Sequence, residues 1–153
     1  DNAPGQVVIS GATAAVERAV EIAKARGAKR ALLLPVSAPF HCAMMQPAAE
    51  AMQAALADVT VNAPAVPLVA NVLAAPISDP DEIRRRLVEQ VTGVVRWTES
   101  VTWLTGPGGV TNLAELGTGK VLTGLAKRIN ADAVATAVST PADIDAFVAE
   151  LSA

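Results

Sequence analysis

Apolar and polar positions follow two rhythms along this chain, and the rhythm changes at glycines and prolines. Residues 5–10 hold a short apolar run, Val7-Val8-Ile9, closed by Gly11, which predicts a strand. From Thr13 to Arg26, Ala15, Val16, Ala19, Val20, Ile22 and Ala23 recur at helical spacing. Glu17, Arg18, Glu21, Lys24 and Arg26 take the other face of that helix, with Gly27 placed as its C-cap. Residues 30–34 give another apolar run ended by Pro35, so the opening segment predicts a strand–helix–strand unit of the βαβ type.

The alternation continues. An alanine-rich helix is predicted over about 43–58, with Pro47 in its first turn, where a missing N–H does least harm. Residues 66–72 lie between prolines and predict a buried strand, and Asp79-Pro80-Asp81-Glu82 opens a helix running to about Val91. Residues 97–105 predict a further helix, broken by Gly106-Pro107-Gly108-Gly109. A strand over 110–116 leads through Gly117-Thr118-Gly119 into a helix ending near Ile129. A last strand at 133–138 and a helix at 141–151 complete the pattern. This is an α/β arrangement, and its continuous apolar strands predict burial on both faces. There is no internal repeat, low-complexity tract or obvious linker.

Composition narrows the class. With 153 residues, 52% hydrophobic and 18% charged, the chain is long and apolar enough to build a core. A net charge of −3 argues against nucleic acid as the main partner. No run approaches the length of a membrane span, and no cationic segment leads into an apolar one at the start. One cysteine excludes an internal disulfide and leaves too few ligands for a zinc site, so no metal is expected and the setting expected is cytoplasmic. The opening Asp1-Asn2, without Met, fits a piece of a longer protein as well as a mature one.

His41 is the only histidine, and imidazole is the usual general base for a weak nucleophile. The chain offers it no convincing partner. Cys42 is adjacent, and neighbouring side chains diverge, so it reads as a small packing residue. Ser37 lies four positions earlier, but Pro35 and Pro39 rule out a shared helical face. No Gly-x-Ser-x-Gly elbow occurs anywhere. Taken by position alone His41 is a satisfied loop histidine; if it is catalytic, its nucleophile comes from residues not present here. Gly117-Thr118-Gly119-Lys120 has the look of a phosphate loop, yet Ala114 and Val121 stand where a Walker A needs Gly and Ser/Thr. A tight strand-to-helix turn is the better reading. Lys29-Arg30, Arg84-Arg85-Arg86 and Lys127-Arg128 are basic clusters that alone read as solvated faces.

Together these segments resemble the malonyl-CoA:acyl carrier protein transacylases. The resemblance is carried in order by Asn2-Ala3-Pro4-Gly5-Gln6-Val7-Val8-Ile9-Ser10-Gly11, Gly27-Ala28-Lys29-Arg30-Ala31, Leu34-Pro35-Val36-Ser37-Ala38-Pro39-Phe40-His41-Cys42 and Asn62-Ala63-Pro64. It continues through Glu115-Leu116-Gly117-Thr118-Gly119-Lys120-Val121-Leu122-Thr123-Gly124-Leu125 to Lys127-Arg128-Ile129. Each piece is weak alone; the ordered set is specific and spans essentially the whole chain, but matches only the C-terminal half of a family member.

What the resemblance implies is transfer of malonyl from coenzyme A to the phosphopantetheine thiol of acyl carrier protein, in fatty-acid biosynthesis, through a malonyl-serine intermediate. His41 matches the catalytic histidine, and Gln90 is assigned the backbone carbonyl that orients it. Phe40 matches the malonyl-selective form of the motif, and Asn2 and Asn71 match polar positions near the site. Lys29, Arg30, Lys127 and Arg128 match positions that dock the acidic carrier protein. No cofactor is implied; the coenzyme A thioester is substrate. The implied fold is a partial α/β-hydrolase-like large subdomain, residues 37–153, with the second part of a ferredoxin-like small subdomain, residues 1–36.

The family's serine elbow, its malonate-binding arginine and its N-terminal glutamine near the oxyanion hole have no counterpart here. The partners expected are therefore malonyl-CoA, acyl carrier protein and the missing N-terminal half of the same enzyme. The chain alone is expected to be inactive and to expose apolar edges. Two rivals are an acyltransferase domain cut from a polyketide or fatty-acid synthase, and a non-catalytic carrier-protein-binding domain.

Overall fold

Six α-helices and four strands form where local chemistry favours them, in a computed structural model describing residues 1–151. Helix α1 spans Thr13–Ala25. It ends on Gly27 at φ 88°, with Ala28 N–H donating to Ala23 O and Gly27 N–H to Lys24 O. That is the paired closure glycine permits at a helix C-terminus. A 3-10 turn, Ala43–Met45, runs into α2, Gln46–Ala57, with Pro47 in its first turn. Helix α3, Pro80–Thr92, starts on Asp79, whose carboxylate accepts from Glu82 N–H at 2.7 Å. Helices α4 (Trp97–Thr105), α5 (Val121–Ile129) and α6 (Pro141–Leu151) fall on the segments the periodicity predicts.

The strands depart further from expectation. Leu68–Ala70 (β1) lies inside the predicted 66–72 segment, but it pairs antiparallel with Ala75–Ile77 (β2), a strand the pattern does not announce. The turn between them places Ala74 at φ 55°. Asn112–Leu116 (β3) and Val134–Val138 (β4) pair in parallel, Asn112 opposite Val134 and Leu116 opposite Val138, with α5 as the crossover. The βαβ unit thus lies here. The predicted strands at 5–10 and 30–34 do not form: the first offers only an isolated Ala3–Gln6 bridge, and the second is irregular. A strand needs a neighbour to take its N–H and C=O groups, and these two segments have none within the described residues. Their apolar side chains stay in water, Val7 at 69% exposure. Nor is β3 buried on both faces; Leu113 and Glu115 turn inward while Leu116 is 77% exposed.

The chain packs as two compact units. One joins Asp1–Val7 to Arg96 and beyond; the other is Val8–Val95. In the first, Val101, Ala126 and Ala135 form a core with Trp97, Leu113 and Ile129 against it. Its N-terminal turn is held by Arg128, whose guanidinium donates to Gln6 Oε1 and, at 2.8 Å, to Pro4 O. In the second, Ala70, Ile77 and Ile83 form the core, with Val61 and Leu73 packed on it, and Arg84 on α3 donates to Leu56 O on α2. No helix among the described residues is long and apolar enough to cross a membrane.

Candidate active site

His41 sits in a turn at φ 60°, the left-handed region. A non-glycine residue there carries a cost of roughly 1–2 kcal/mol and needs its surroundings to hold it. On one side Phe40 N–H donates to Ala38 O at 3.0 Å; on the other Cys42 Sγ donates to Pro39 O at 3.1 Å. The thiol thus braces the loop, consistent with a packing role.

Held in this way, the imidazole reaches α3. His41 Nδ1 lies 3.1 Å from Gln90 O. A carbonyl can only accept, so the hydrogen-bond network assigns the proton to Nδ1 and leaves the Nε2 lone pair outward. This is the polarity a general base requires. The carbonyl is available because α3 stops. Gly93 N–H closes the last turn on Glu89 O at 2.8 Å, and Gly93 then turns extended at ψ 153°, carrying the chain out of the ladder. The last carbonyls of any helix lack internal partners, and His41 takes this one. The sequence signal was a glycine just past a helix end, a feature the pattern reading did not use.

Among the other expected site residues, Phe40 is adjacent and 44% exposed. Asn71 opens the β1–β2 turn, next to Val72, whose Cγ2 would stand 2.7 Å from a Cβ built on Gly93. That turn therefore backs onto the end of α3 three residues from Gln90. Asn2 lies in the other unit, in the turn clamped by Arg128, its own N–H donating to Gln6 O at 3.0 Å. Lys29 and Arg30 are exposed beyond α1; Lys127 and Arg128 are exposed in the last turn of α5.

The turn resembling a phosphate loop is already filled. Glu115 on β3 reaches over Gly117-Thr118-Gly119-Lys120 and accepts from Leu122 N–H at 3.1 Å, Thr123 N–H at 2.8 Å and the Thr123 hydroxyl at 2.7 Å. Those donors at the N-terminus of α5 hold its carboxyl below the usual range. An internal anion stands where a phosphate would sit. An apolar cavity of about 80 Å³ adjoins this cap, lined by Trp97, Val101 and Leu104 among others. His41 is not among its lining residues.

Comparison with known proteins gives the site its context. No family model matches the chain. It is 52% identical over 140 residues to the malonyl CoA-acyl carrier protein transacylase of Escherichia coli strain K12, covering 92% of this chain and 45% of that protein. It superposes with TM-score 0.94 and 57% identity on an acyl-carrier-protein-S-malonyltransferase of Bartonella henselae, covering 100% of this chain and 48% of that one. A malonyl-transacylase solved in complex with its type II polyketide-synthase acyl-carrier protein superposes with TM-score 0.86 at 44% identity, covering 92% of this chain and 45% of the other. The chain belongs to the malonyl CoA-acyl carrier protein transacylases, and it spans about half the length of the relatives it matches.

Proposed function

We propose that this chain supplies the general-base half of a malonyl-CoA:acyl carrier protein transacylase acting in fatty-acid biosynthesis. One observation carries the reading: His41 is fixed in a strained loop with Nδ1 on Gln90 O at 3.1 Å, so that Nε2 is free to take a proton. The serine comes from the N-terminal half of the enzyme, as does the arginine that binds the malonate carboxylate.

His41 Nε2 accepts the proton of the serine hydroxyl as its oxygen attacks the malonyl thioester carbonyl. The tetrahedral adduct collapses, the C–S bond breaks, and the imidazolium returns the proton to the departing coenzyme A sulfur. In the second half-reaction Nε2 takes the proton of the phosphopantetheine thiol. The sulfur attacks the malonyl-serine carbonyl, and the proton goes back to the serine oxygen as the ester breaks. No cofactor is needed, because each step only moves a proton and exchanges one acyl bond.

Phe40 narrows the acyl pocket towards malonyl, while Asn71 supplies a polar contact at its edge. Lys29, Arg30, Lys127 and Arg128 receive the acidic carrier protein. Residues 1–36 form the second part of a ferredoxin-like subdomain and residues 37–153 the C-terminal part of an α/β-hydrolase-like one. The unpaired segments around Val7–Ile9 and Leu32–Leu34 fit strands that wait for the other half.

The test is a chimera in which this chain replaces the matching segment of the Escherichia coli relative. Malonyl transfer to carrier protein is expected in the chimera and falls by about 10³-fold or more in its His41→Ala form. Transfer by the chain alone, or a chimera indifferent to His41→Ala, would overturn the assignment.

A further inference from the structure

A backbone carbonyl needs no particular side chain behind it, yet the residue presenting one to His41 is a glutamine whose carboxamide is also engaged. Gln90 Nε2 donates to Gly93 O at 3.1 Å, bridging the point where α3 ends. The bond closes a ring from the Gln90 side chain to the first residue outside the helix. A flipped amide would set oxygen against oxygen, so the donor assignment follows from the partner. The same Nε2 stands 3.5 Å from His41 Nδ1, two donors side by side that share the end of one helix.

Helix C-terminal turns fray because their carbonyls lack internal partners. A fraying turn at α3 would swing Gln90 O away from Nδ1, and the imidazole, itself exposed, would be free to adopt its solution preference. In water that preference is for the proton on Nε2, which would hide the basic lone pair on the wrong nitrogen. The carboxamide opposes this by tying Gly93 back to the turn that carries the carbonyl. Groups that act through a functional imidazole by fixing its tautomer are a recurrent need of such sites.

We infer that the Gln90 side chain is a positioning residue: its hydrogen bond to Gly93 O holds the end of α3 so that Gln90 O keeps His41 in the Nδ1–H tautomer. The functional meaning rests on the general-base reading of His41, but the geometric claim does not, and the two are tested apart.

With a single histidine in the sequence, ¹⁵N-labelled imidazole gives one readable pair of nitrogen shifts for the intact chain. Neutral His41 is expected to be mostly Nδ1–H in the wild type. Gln90→Met keeps the length and helical preference of the side chain but deletes the donor. It should move the tautomer ratio towards Nε2–H by the worth of one hydrogen bond, about 2- to 10-fold. Helix content by circular dichroism should stay unchanged. A second measurement needs no variant: the Gln90 carboxamide protons should exchange with solvent more slowly than those of Gln53. An unchanged tautomer ratio in folded Gln90→Met overturns the inference, and so does a Gln90 carboxamide that exchanges as fast as Gln53's. Neither readout involves acyl transfer, so a failed chimera and a failed tether are distinguishable.

Discussion

The Glu115 carboxylate takes both the backbone N–H of Thr123, at 2.8 Å, and its hydroxyl, at 2.7 Å, joining the end of β3 to the start of α5. Asp143 does the same at α6, accepting from Ser139 N–H at 3.0 Å and Thr140 N–H at 2.8 Å. Backbone donors lower both carboxyls from their ordinary values of 4.5 and 3.8. A carboxyl lowered on folding contributes stability that is present above its unfolded value and lost as pH falls through the folded one. In Glu115→Gln the charge is gone at every pH. The difference in melting temperature between wild type and variant should therefore be largest near neutrality and shrink on acidification below the ordinary Glu range. A difference that stays constant from neutral to strongly acidic pH would sink this account.

Val101 is 1% exposed at the centre of the α4–α5–β4 core. Val101→Ala removes two buried methyl groups and should destabilise its unit by about 2 kcal/mol. Urea unfolding should show a lower midpoint with an unchanged slope; a shift within error of zero would mean the core closes over the gap.

How much of this was legible beforehand differs between helices and strands. Every predicted helix appeared, because a helix satisfies its own backbone and announces itself by spacing, as Ala15, Val16 and Ala19 do on α1 although no residue of that helix is buried. The strands at 5–10 and 30–34 failed because a strand depends on a neighbour that spacing within one segment cannot supply. The hairpin strand Ala75–Ile77 was hidden by Pro76 at its centre, a residue that ordinarily argues against a strand. At the candidate site, the pairing of His41 with Gln90 was expected from a family likeness alone. Their contact spans 49 residues and joins a left-handed loop to a helix end, and neither feature has a period. The Glu115 cap has no signature in the glycines of the turn, because the acid that fills it stands two positions before them, on β3.

Phe40 offers a specificity test within the chimera. Phe40→Ala should raise the relative kcat/KM for a methylmalonyl thioester over malonyl by about 10-fold, the usual yield of relieving one methyl group's crowding. Competition kinetics with the two coenzyme A esters measure it directly, and an unchanged ratio would remove Phe40 from the acyl pocket.

Lys127 and Arg128 are neighbours with different commitments. Arg128 holds Gln6 and Pro4, while Lys127 is exposed in the same helical turn. Lys127→Glu in the chimera should raise KM for carrier protein several-fold at low salt, leave malonyl loading from coenzyme A unaffected, and lose its effect as ionic strength rises. Arg128→Ala should in addition lower the melting temperature of its own unit, since it releases the turn over residues 2–6. Identical, salt-sensitive effects of the two substitutions on carrier protein alone would contradict this division.

The clamp by Arg128 also fixes an order of events during synthesis. Gln6 leaves the ribosome first but cannot meet its partner until 122 further residues have followed. In the interval Val8–Val95 can collapse around its own core, because every element of that unit is already out. Until then the turn over residues 2–6 lacks this clamp, and closing so long a loop carries an entropic barrier that local pairings avoid. The turn over residues 2–6 is thus a late closure, since its clamp cannot form until Arg128 itself has been made.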